Sequence, residues 1–145
     1  MLRVADANVV FSSLLIRGKP LSVLELNAVL NKFEFISPEY VFFEIGKRVD
    51  KILKYSHFSK EEFIKVFSFV KGQIELMPLE SFEDKTEEAR KLSPEEKDVP
   101  YVALSLKLDC KILSGDKGLK RALPDRVVTP SEALEELSKH VEASD

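Results

Sequence analysis

The stretch LRVADAN, residues 2–8, decides the fold, because an apolar run stops there at an acid and continues as a helix. Leu2 to Ala5 has the length and composition of a short buried strand, and Asp6 directly follows it. Asn8 is a residue type that caps helices, so a helix is predicted to begin there and to run to about Ile16. The segment therefore predicts a strand, an acidic end and a helix in immediate succession.

The same alternation continues along the chain. Further short apolar strands are predicted at Phe33–Ile36, Ile74–Met77, Ile112–Leu113 and Val127–Val128, with helical segments between them. Short apolar strands that alternate with helices are typical of a parallel sheet covered on both faces. The sequence therefore predicts an α/β fold of three α/β/α layers, with a central parallel sheet of about five strands.

Capping residues and prolines predict where the helices begin, since both favour the first turn. Such starts are found at Pro20, Ser37-Pro38, Ser59 with Glu62, Ser93-Pro94 and Thr129-Pro130. The helix that starts at Pro38 is predicted to run unbroken to about Lys54, with Val49 and Leu53 in its apolar stripe. The helix from Pro94 is predicted to end at about Leu108.

Length and composition limit the possible organisation. The 145 residues suit one domain, predicted over residues 1–141, with 142–145 as a frayed tail. The net charge of −3 excludes a protein that holds duplex nucleic acid by overall charge alone. Any contact with nucleic acid is therefore expected to be local, metal-assisted or both.

The cysteines and histidines exclude two further classes. Cys110 is the single cysteine, so no intrachain disulfide can form and the chain fits a reducing compartment such as the cytoplasm. His57 and His140 lie far apart in sequence, which argues against a Cys/His zinc site. The longest apolar runs fall short of the roughly 18 residues of a membrane span, so no membrane association is expected.

Four acids are candidates for one site, and two of them follow predicted strands, where a parallel sheet binds its ligands. Asp6 and Asp116 each follow a predicted strand, and they would share one crevice if those strands are neighbours. Asp98 lies in the first turn of the helix that precedes the Asp116 strand. Glu44 lies beside the apolar stripe of the Pro38 helix, so both can join the crevice.

Clustered carboxylates repel one another and are stable together mainly when a divalent cation neutralises them. Oxygen ligands without Cys or His favour Mg²⁺ or Mn²⁺. Such an ion can generate hydroxide, and two ions can clamp an in-line displacement at phosphorus. The acids therefore indicate phosphodiester chemistry, with one or two metals left open.

Four segments in order resemble the motifs of PIN domains. DAN at 6–8 resembles the opening D-x-N, and PEYVFFEI at 38–45 resembles the helix that carries a glutamate. KDVPYVALSL at 97–106 resembles the segment of the third acid, and ILSGDKGL at 112–119 that of the fourth. Together they span nearly the whole chain. Gly118 departs from the pattern, because many relatives carry an acid or a polar residue there.

The resemblance implies a compact α/β/α domain that cleaves single-stranded RNA with Mg²⁺ or Mn²⁺ and often forms a homodimer. Small stand-alone members often act as the toxin of a toxin–antitoxin pair, blocked by a small antitoxin protein. The implied metal ligands are Asp6, Asp98 and Asp116, directly or through water, with Glu44 supporting them. Asn8 and Ser114 are implied to orient carboxylates or water.

Two basic clusters flank the predicted acids and are candidates for binding phosphates. They consist of Lys47, Arg48, Lys51 and Lys54 beside Glu44, and of Lys117, Lys120 and Arg121 after Asp116. Both clusters are equally compatible with solvated helix faces. Residues 81–93 are rich in acids and could repel RNA near the site.

Other interpretations stay open. The chain could be a non-catalytic PIN-like module that binds RNA or protein, or an RNA-processing or quality-control nuclease. A phosphoacceptor signalling domain also places acids at strand ends, but it gives Glu44 and Asp98 no role. Each acid also has a structural interpretation, such as a helix cap or an ion pair of Glu44 with Arg48. Asp109 is interpreted as a structural turn residue.

Overall fold

The computed structural model describes residues 1–144, with side-chain surroundings through residue 142, and Asp145 lies outside the described residues. The predicted parallel sheet is confirmed, with five strands in the order β3-β2-β1-β4-β5. The strands are β1 (Leu2–Ala5), β2 (Glu34–Pro38), β3 (Ile74–Met77), β4 (Lys111–Leu113) and β5 (Val127–Val128).

Helices flank this sheet. They are α1 (Ala7–Leu15), α2 (Lys19–Leu30), α3 (Val41–Lys47), α4 (Val49–Tyr55), α5 (Lys60–Gln73), α6 (Thr86–Leu92), α7 (Val99–Leu108), α8 (Lys117–Ala122) and α9 (Pro130–Ser144). Helix α7 contacts β1, β2, β4 and α6, while α1, α2, α5 and α9 form a second set of contacts. Among the residues described, no helix combines the length and apolarity needed to cross a membrane.

Strands β1 and β4 meet at the topological switch point of the sheet. The chain passes from β1 to β2 and β3 on one side, and then crosses to β4 and β5 on the other. Ala5 pairs with Leu113 in the parallel register, so the residues that follow each strand emerge side by side. Asp6 and Asp116 were predicted to share one crevice if β1 and β4 are neighbours, and these strands are neighbours.

The prediction of one continuous helix from Pro38 to Lys54 is wrong in two respects. Ser37 and Pro38 belong to β2, where pairing with β3 overrides the local Ser-Pro signal, and α3 begins only at Val41. The helix is also interrupted at Arg48, between α3 and α4. Beyond this break Val49 and Leu53 are exposed, so they do not extend the buried stripe.

The prediction that a helix begins at Ser93-Pro94 is also wrong. A 3₁₀ turn spans Glu96–Asp98, and α7 follows from Val99 with Pro100 in its first turn. A proline there costs no hydrogen bond, because the first N–H groups of a helix lack helical partners. Asp98 consequently lies at the N-cap position of α7, one residue before the helix.

The remaining caps were largely predicted. Ser59 and Glu62 form the expected capping box of α5, and the Thr129 N–H donates to Glu132 at the start of α9. The cap of α1 differs, because the Asp6 carboxylate rather than Asn8 occupies that position. Helix α9 is described to Ser144, beyond the predicted end at Val141, and the predicted frayed tail reaches Asp145, outside the described residues.

Candidate active site

A cleft of about 500 Å³ opens at the carboxyl ends of β1 and β4, and all four predicted acids line it. Asp6 and Asp116 reach it from the ends of these strands, Asp98 from the start of α7, and Glu44 from α3. The cleft therefore gathers acids that lie far apart in the sequence. It is also the place where open parallel sheets bind their ligands.

Asp6 is held by contacts on both of its carboxylate oxygens. Oδ1 accepts a hydrogen bond from the Ala7 N–H at 2.9 Å, and Oδ2 accepts one from the Ser114 hydroxyl at 2.7 Å. The Asp6 backbone N–H donates to the Leu113 carbonyl at 3.0 Å, continuing the ladder between β1 and β4. Burial raises the pKa of the Asp6 carboxyl, although the Ser114 hydrogen bond opposes this change.

Ser114 connects two of the acids. Its hydroxyl, fully buried, donates to Asp6 and also accepts from the Asp116 backbone N–H at 3.0 Å. Asn8 acts on the same loop, since its Oδ1 accepts from the Gly115 N–H at 3.2 Å. Ser114 therefore contacts a carboxylate, whereas the contact of Asn8 is with loop backbone.

Asp116 has a structural role as well as a place in the cleft. Its Oδ1 caps α8 by accepting from the Leu119 N–H at 3.0 Å, and its Oδ2 lies 3.9 Å from the Lys97 ammonium. A Cβ added at Gly118 would lie 3.2 Å from Asp116 Oδ1, closer than most such contacts. The glycine that departs from the family pattern therefore leaves this carboxylate room.

Asp98 is the most unusual of the four acids. It is only 3% exposed, and within residues 1–144 its buried Oδ2 has no hydrogen-bond partner. Burial, followed by the negative charges of Asp6 and Asp116, raises the pKa of the Asp98 carboxyl to about 6. A carboxylate oxygen left without a donor at such a place is costly unless a cation meets it.

Glu44 lies at the edge of the group. Its side chain is 40% exposed, and its Oε1 lies 3.8 Å from the Lys47 ammonium rather than beside Arg48. Its charge still reaches the cleft, because it contributes, after burial, to raising the pKa of Tyr40. Glu44 is therefore placed to support the other acids from the rim.

The acids fit a divalent cation by their chemistry. Asp6, Asp98 and Asp116 repel one another, and one of them carries a buried oxygen with no donor among the described residues. Such an oxygen-only donor set is of the kind that Mg²⁺ and Mn²⁺ prefer. As the side chains are placed here, no three acidic, His or Cys residues of the described part are grouped closely enough to hold an ion, so binding would require these side chains to move.

Sequence reasoning missed several residues of the cleft. Lys97 lies beside Asp98 in sequence, and Phe11 follows Asn8 on the same helix. Tyr40 and Tyr101 pack edge to face, with ring centroids 6.4 Å apart. Burial, followed by nearby charges, raises the pKa of both tyrosines above the usual range, so their hydroxyls keep their protons.

The predicted basic residues divide between the cleft and other surfaces. Arg48 lines the cleft, whereas Lys47, Lys51, Lys117 and Arg121 are exposed outside its lining. Lys120 turns away to Glu132, at 3.2 Å, and to backbone carbonyls near β5.

The acidic stretch at residues 81–93 is partly neutralised by local ion pairs. Asp84 pairs with Lys107 at 2.8 Å, and Arg90 pairs with both Glu87 and Glu96. These pairs reduce the repulsion that the stretch would exert on RNA.

Asp109 has the structural role expected of it. It ends α7 with φ of 49°, in the left-handed region that Asp and Asn tolerate better than most residues. It is exposed at the opposite end of α7 from Asp98, which makes it a suitable control for the cleft.

Replacing Ser114 by alanine is expected to weaken Mn²⁺ binding about 10- to 100-fold, the usual effect of losing a group that orients a metal ligand. Asp6 would lose its hydroxyl donor, and its pKa would rise further. Titration calorimetry measures the change. Ser13→Ala is the matched control, because Ser13 is equally buried but bonds the Val9 carbonyl within α1. Equal affinity in both variants would contradict an orienting role for Ser114.

Comparison with known proteins identifies the family. A family model described as PIN domain matches residues 4–123 of the 145-residue chain, a span that includes all four acids. Helix α9 and strand β5 lie beyond the match. No curated protein matches the chain.

Proposed function

The chain belongs to the PIN-domain family, whose members are generally metal-dependent nucleases, and we propose that it is an endoribonuclease that hydrolyses single-stranded RNA with Mg²⁺ or Mn²⁺. The observation that carries the proposal is the buried Asp98 oxygen, which has no donor among the described residues and lies in a cleft that also receives Asp6 and Asp116. An acidic cleft of this kind at a topological switch point suits a cation and a phosphodiester.

In this proposal Asp6, Asp98 and Asp116 hold the metal and Glu44 supports them. A divalent ion held there would activate water as the nucleophile and offset negative charge on the phosphate. Ser114 orients Asp6 through its hydrogen bond, and Asp98 would bind the ion in its ionised form, which burial and its acidic neighbours disfavour by raising its pKa to about 6. The protein therefore contributes positioned carboxylates whose mutual repulsion is relieved when the ion binds.

The substrate is held by local positive charge, because the net charge of −3 gives no general attraction to RNA. Arg48 and Lys97 both line the cleft, which supports a role for them in contacting phosphates. Tyr40 keeps its proton and can donate a hydrogen bond there. These groups support binding of a short unpaired segment.

The biological setting is proposed from the family alone. We infer a toxin of a toxin–antitoxin pair, active as a cytoplasmic homodimer and blocked by a small antitoxin protein. A processing or quality-control nuclease would use the same cleft and the same chemistry. A non-catalytic binding module is disfavoured, because all four acids are retained and line one cleft.

Mn²⁺ titration of the parent and of Asp116→Asn tests the proposal without knowledge of the RNA. Asparagine keeps an acceptor for the Leu119 N–H, so the cap of α8 survives while the charge is lost. We expect the parent to bind Mn²⁺ and the variant to bind at least about 100-fold more weakly, because it loses a direct ligand rather than an orienting group.

Asp125→Asn, an exposed change outside the cleft, is the control and should leave Mn²⁺ binding as in the parent. Cleavage of a single-stranded RNA oligonucleotide, with and without EDTA, then tests the reaction. Absence of Mn²⁺ binding by the parent, both alone and with RNA, would overturn the proposal.

A further inference from the structure

Phe11 and Arg48 form a stacked pair in the wall of the cleft. The Arg48 guanidinium carbon lies 5.3 Å from the centroid of the Phe11 ring, within the range of a cation–π contact. Both side chains line the cleft that holds the four acids. The pair is therefore part of the surface that meets whatever enters the site.

The backbone sets the pair at a defined distance from the acids. Phe11 lies five residues beyond Asp6, which along α1 corresponds to about 7.5 Å. This distance suits a group next to the reacting phosphate rather than the phosphate itself. Arg48 lies at the break between α3 and α4, with φ of −114° and ψ of 14°, and its side chain is exposed.

The two side chains have the chemistry that binds unpaired bases. Aromatic rings and arginine planes stack on bases that are free of a duplex, while the guanidinium charge attracts the phosphates. A base inside a duplex has both faces covered by its neighbours, so it cannot use such a pair. The acids beside the pair would repel RNA in the absence of a metal, which makes a stacking contact more important for binding.

We propose that Phe11 and Arg48 form a subsite that stacks the base of the unpaired nucleotide adjacent to the cut phosphate. This subsite rests on the proposed ribonuclease function and explains why the substrate must be single-stranded. Sequence reasoning assigned Arg48 only to a basic cluster, and Phe11 to no site. The pair differs from the Arg17–Phe58 contact, at 5.5 Å, which lies outside the cleft.

Binding is measured with a short single-stranded RNA that carries the fluorescent base 2-aminopurine, in the Asp116→Asn background. The Mn²⁺ concentration is set high enough to offset the weaker ion binding expected of this variant. The background prevents cleavage. Stacking quenches the fluorescence of this base, so the probe reports a contact that charge alone does not produce. We expect quenching on binding, and we expect Phe11→Leu to remove it and to weaken binding about 10-fold or more.

Arg48→Lys keeps the charge but loses the planar group, so it separates stacking from attraction. It should reduce the quenching and weaken binding several-fold. Phe11→Tyr should restore both signals, because it returns an aromatic ring. Arg17→Ala is the matched control and should bind as the background does. Binding of a duplex of the same sequence should be weak and insensitive to all of these changes.

The outcomes separate the subsite from the function. If the background binds RNA but Phe11→Leu and Arg48→Lys bind equally well, the subsite is wrong, and cleavage by the parent still supports the ribonuclease. If Arg48→Ala weakens RNA binding but Phe11→Leu keeps the fluorescence quenching, the proposal that the pair stacks on a base is also overturned. If the parent neither binds nor cuts RNA, the subsite and the ribonuclease proposal are both overturned.

Discussion

Asp98→Asn is expected to lower metal-dependent RNA cleavage by at least about 100-fold and to weaken Mn²⁺ binding by a similar factor. Losing a group that merely orients a ligand costs about 10- to 100-fold, and Asp98 is proposed as a ligand itself. Among the residues described, its Oδ2 makes no hydrogen bond that asparagine would disrupt. The loss should therefore fall on the metal rather than on the fold.

The matched control is Asp109→Asn, the same change at the other end of α7. Asn tolerates the left-handed conformation of residue 109, so this variant should keep parental stability, Mn²⁺ affinity and activity. Initial rates over a range of Mn²⁺ concentrations separate a loss of affinity from a loss of rate. If Asp98→Asn needed no more Mn²⁺ than the parent for half-maximal activity, and its maximal rate stayed within about tenfold of the parent, the assignment of Asp98 as a ligand would be contradicted.

The sheet could be predicted because its strands are short and mostly apolar, and all of them except the edge strand β3 are largely buried. Val4 and Ile112, in the two central strands, are fully buried. The place of the switch point was not predicted. Asp6 directly follows β1 and Asp116 lies three residues after β4, but the sequence left open whether those strands are neighbours. Composition and periodicity therefore sufficed for the fold class but not for the order of the strands.

The helix starts could not all be predicted, because local capping signals compete with tertiary pairing. Ser37-Pro38 has the chemistry of a helix start, yet hydrogen bonding with β3 keeps it extended, and the Ser37 hydroxyl donates to the Ala5 carbonyl. At Ser93-Pro94 the chain instead turns once more before α7 begins after Asp98. In both places the sequence marks a turn, and only packing decides where the helix begins.

The acids of the cleft were predicted better than its walls. The four acids belong to a motif with a fixed order along the chain. Their proximity in the fold could be expected once β1 and β4 were neighbours. They are Asp6, Glu44, Asp98 and Asp116. Phe11 had no such signal, because a phenylalanine in an apolar helix is usually a core residue. The subsite proposed for it also needs Arg48, which the sequence pattern placed inside one continuous helix and which the structure places between α3 and α4.

The metal-free protein is expected to lose stability as the pH rises from 4.5 to 7. Asp98 has a folded pKa of about 6 against an ordinary value of 3.8, so the native state binds its proton more tightly than the unfolded chain does. Such a group stabilises the fold fully below its unfolded pKa, and this stability is lost as the pH rises through about 6. The expected loss is about 2 kcal/mol, and Asp6, whose pKa is also raised, acts in the same direction.

Unfolding by urea in EDTA at several pH values measures this loss. In Asp98→Asn, most of the decrease of stability with pH should disappear, and the part due to Asp6 should remain. The difference between parent and variant therefore gives the contribution of Asp98, separate from the other groups that titrate. The carboxyls whose pKa is lowered, such as Glu62 and Glu132, act in a separate window, because their contribution is lost only as the pH falls below about 4.5.

Mn²⁺ should reverse the trend in the parent, since it binds the deprotonated acids of the folded state. At about 100 times its dissociation constant, an ion adds about 2.7 kcal/mol to the stability. Parent stability in Mn²⁺ should therefore rise between pH 5 and 7, while Asp98→Asn shows little gain. The contradicting result would be a metal-free parent whose stability rises over this range as steeply as that of Asp98→Asn. Ionising Asp98 would then cost the folded protein little free energy, and its buried oxygen would not need a cation.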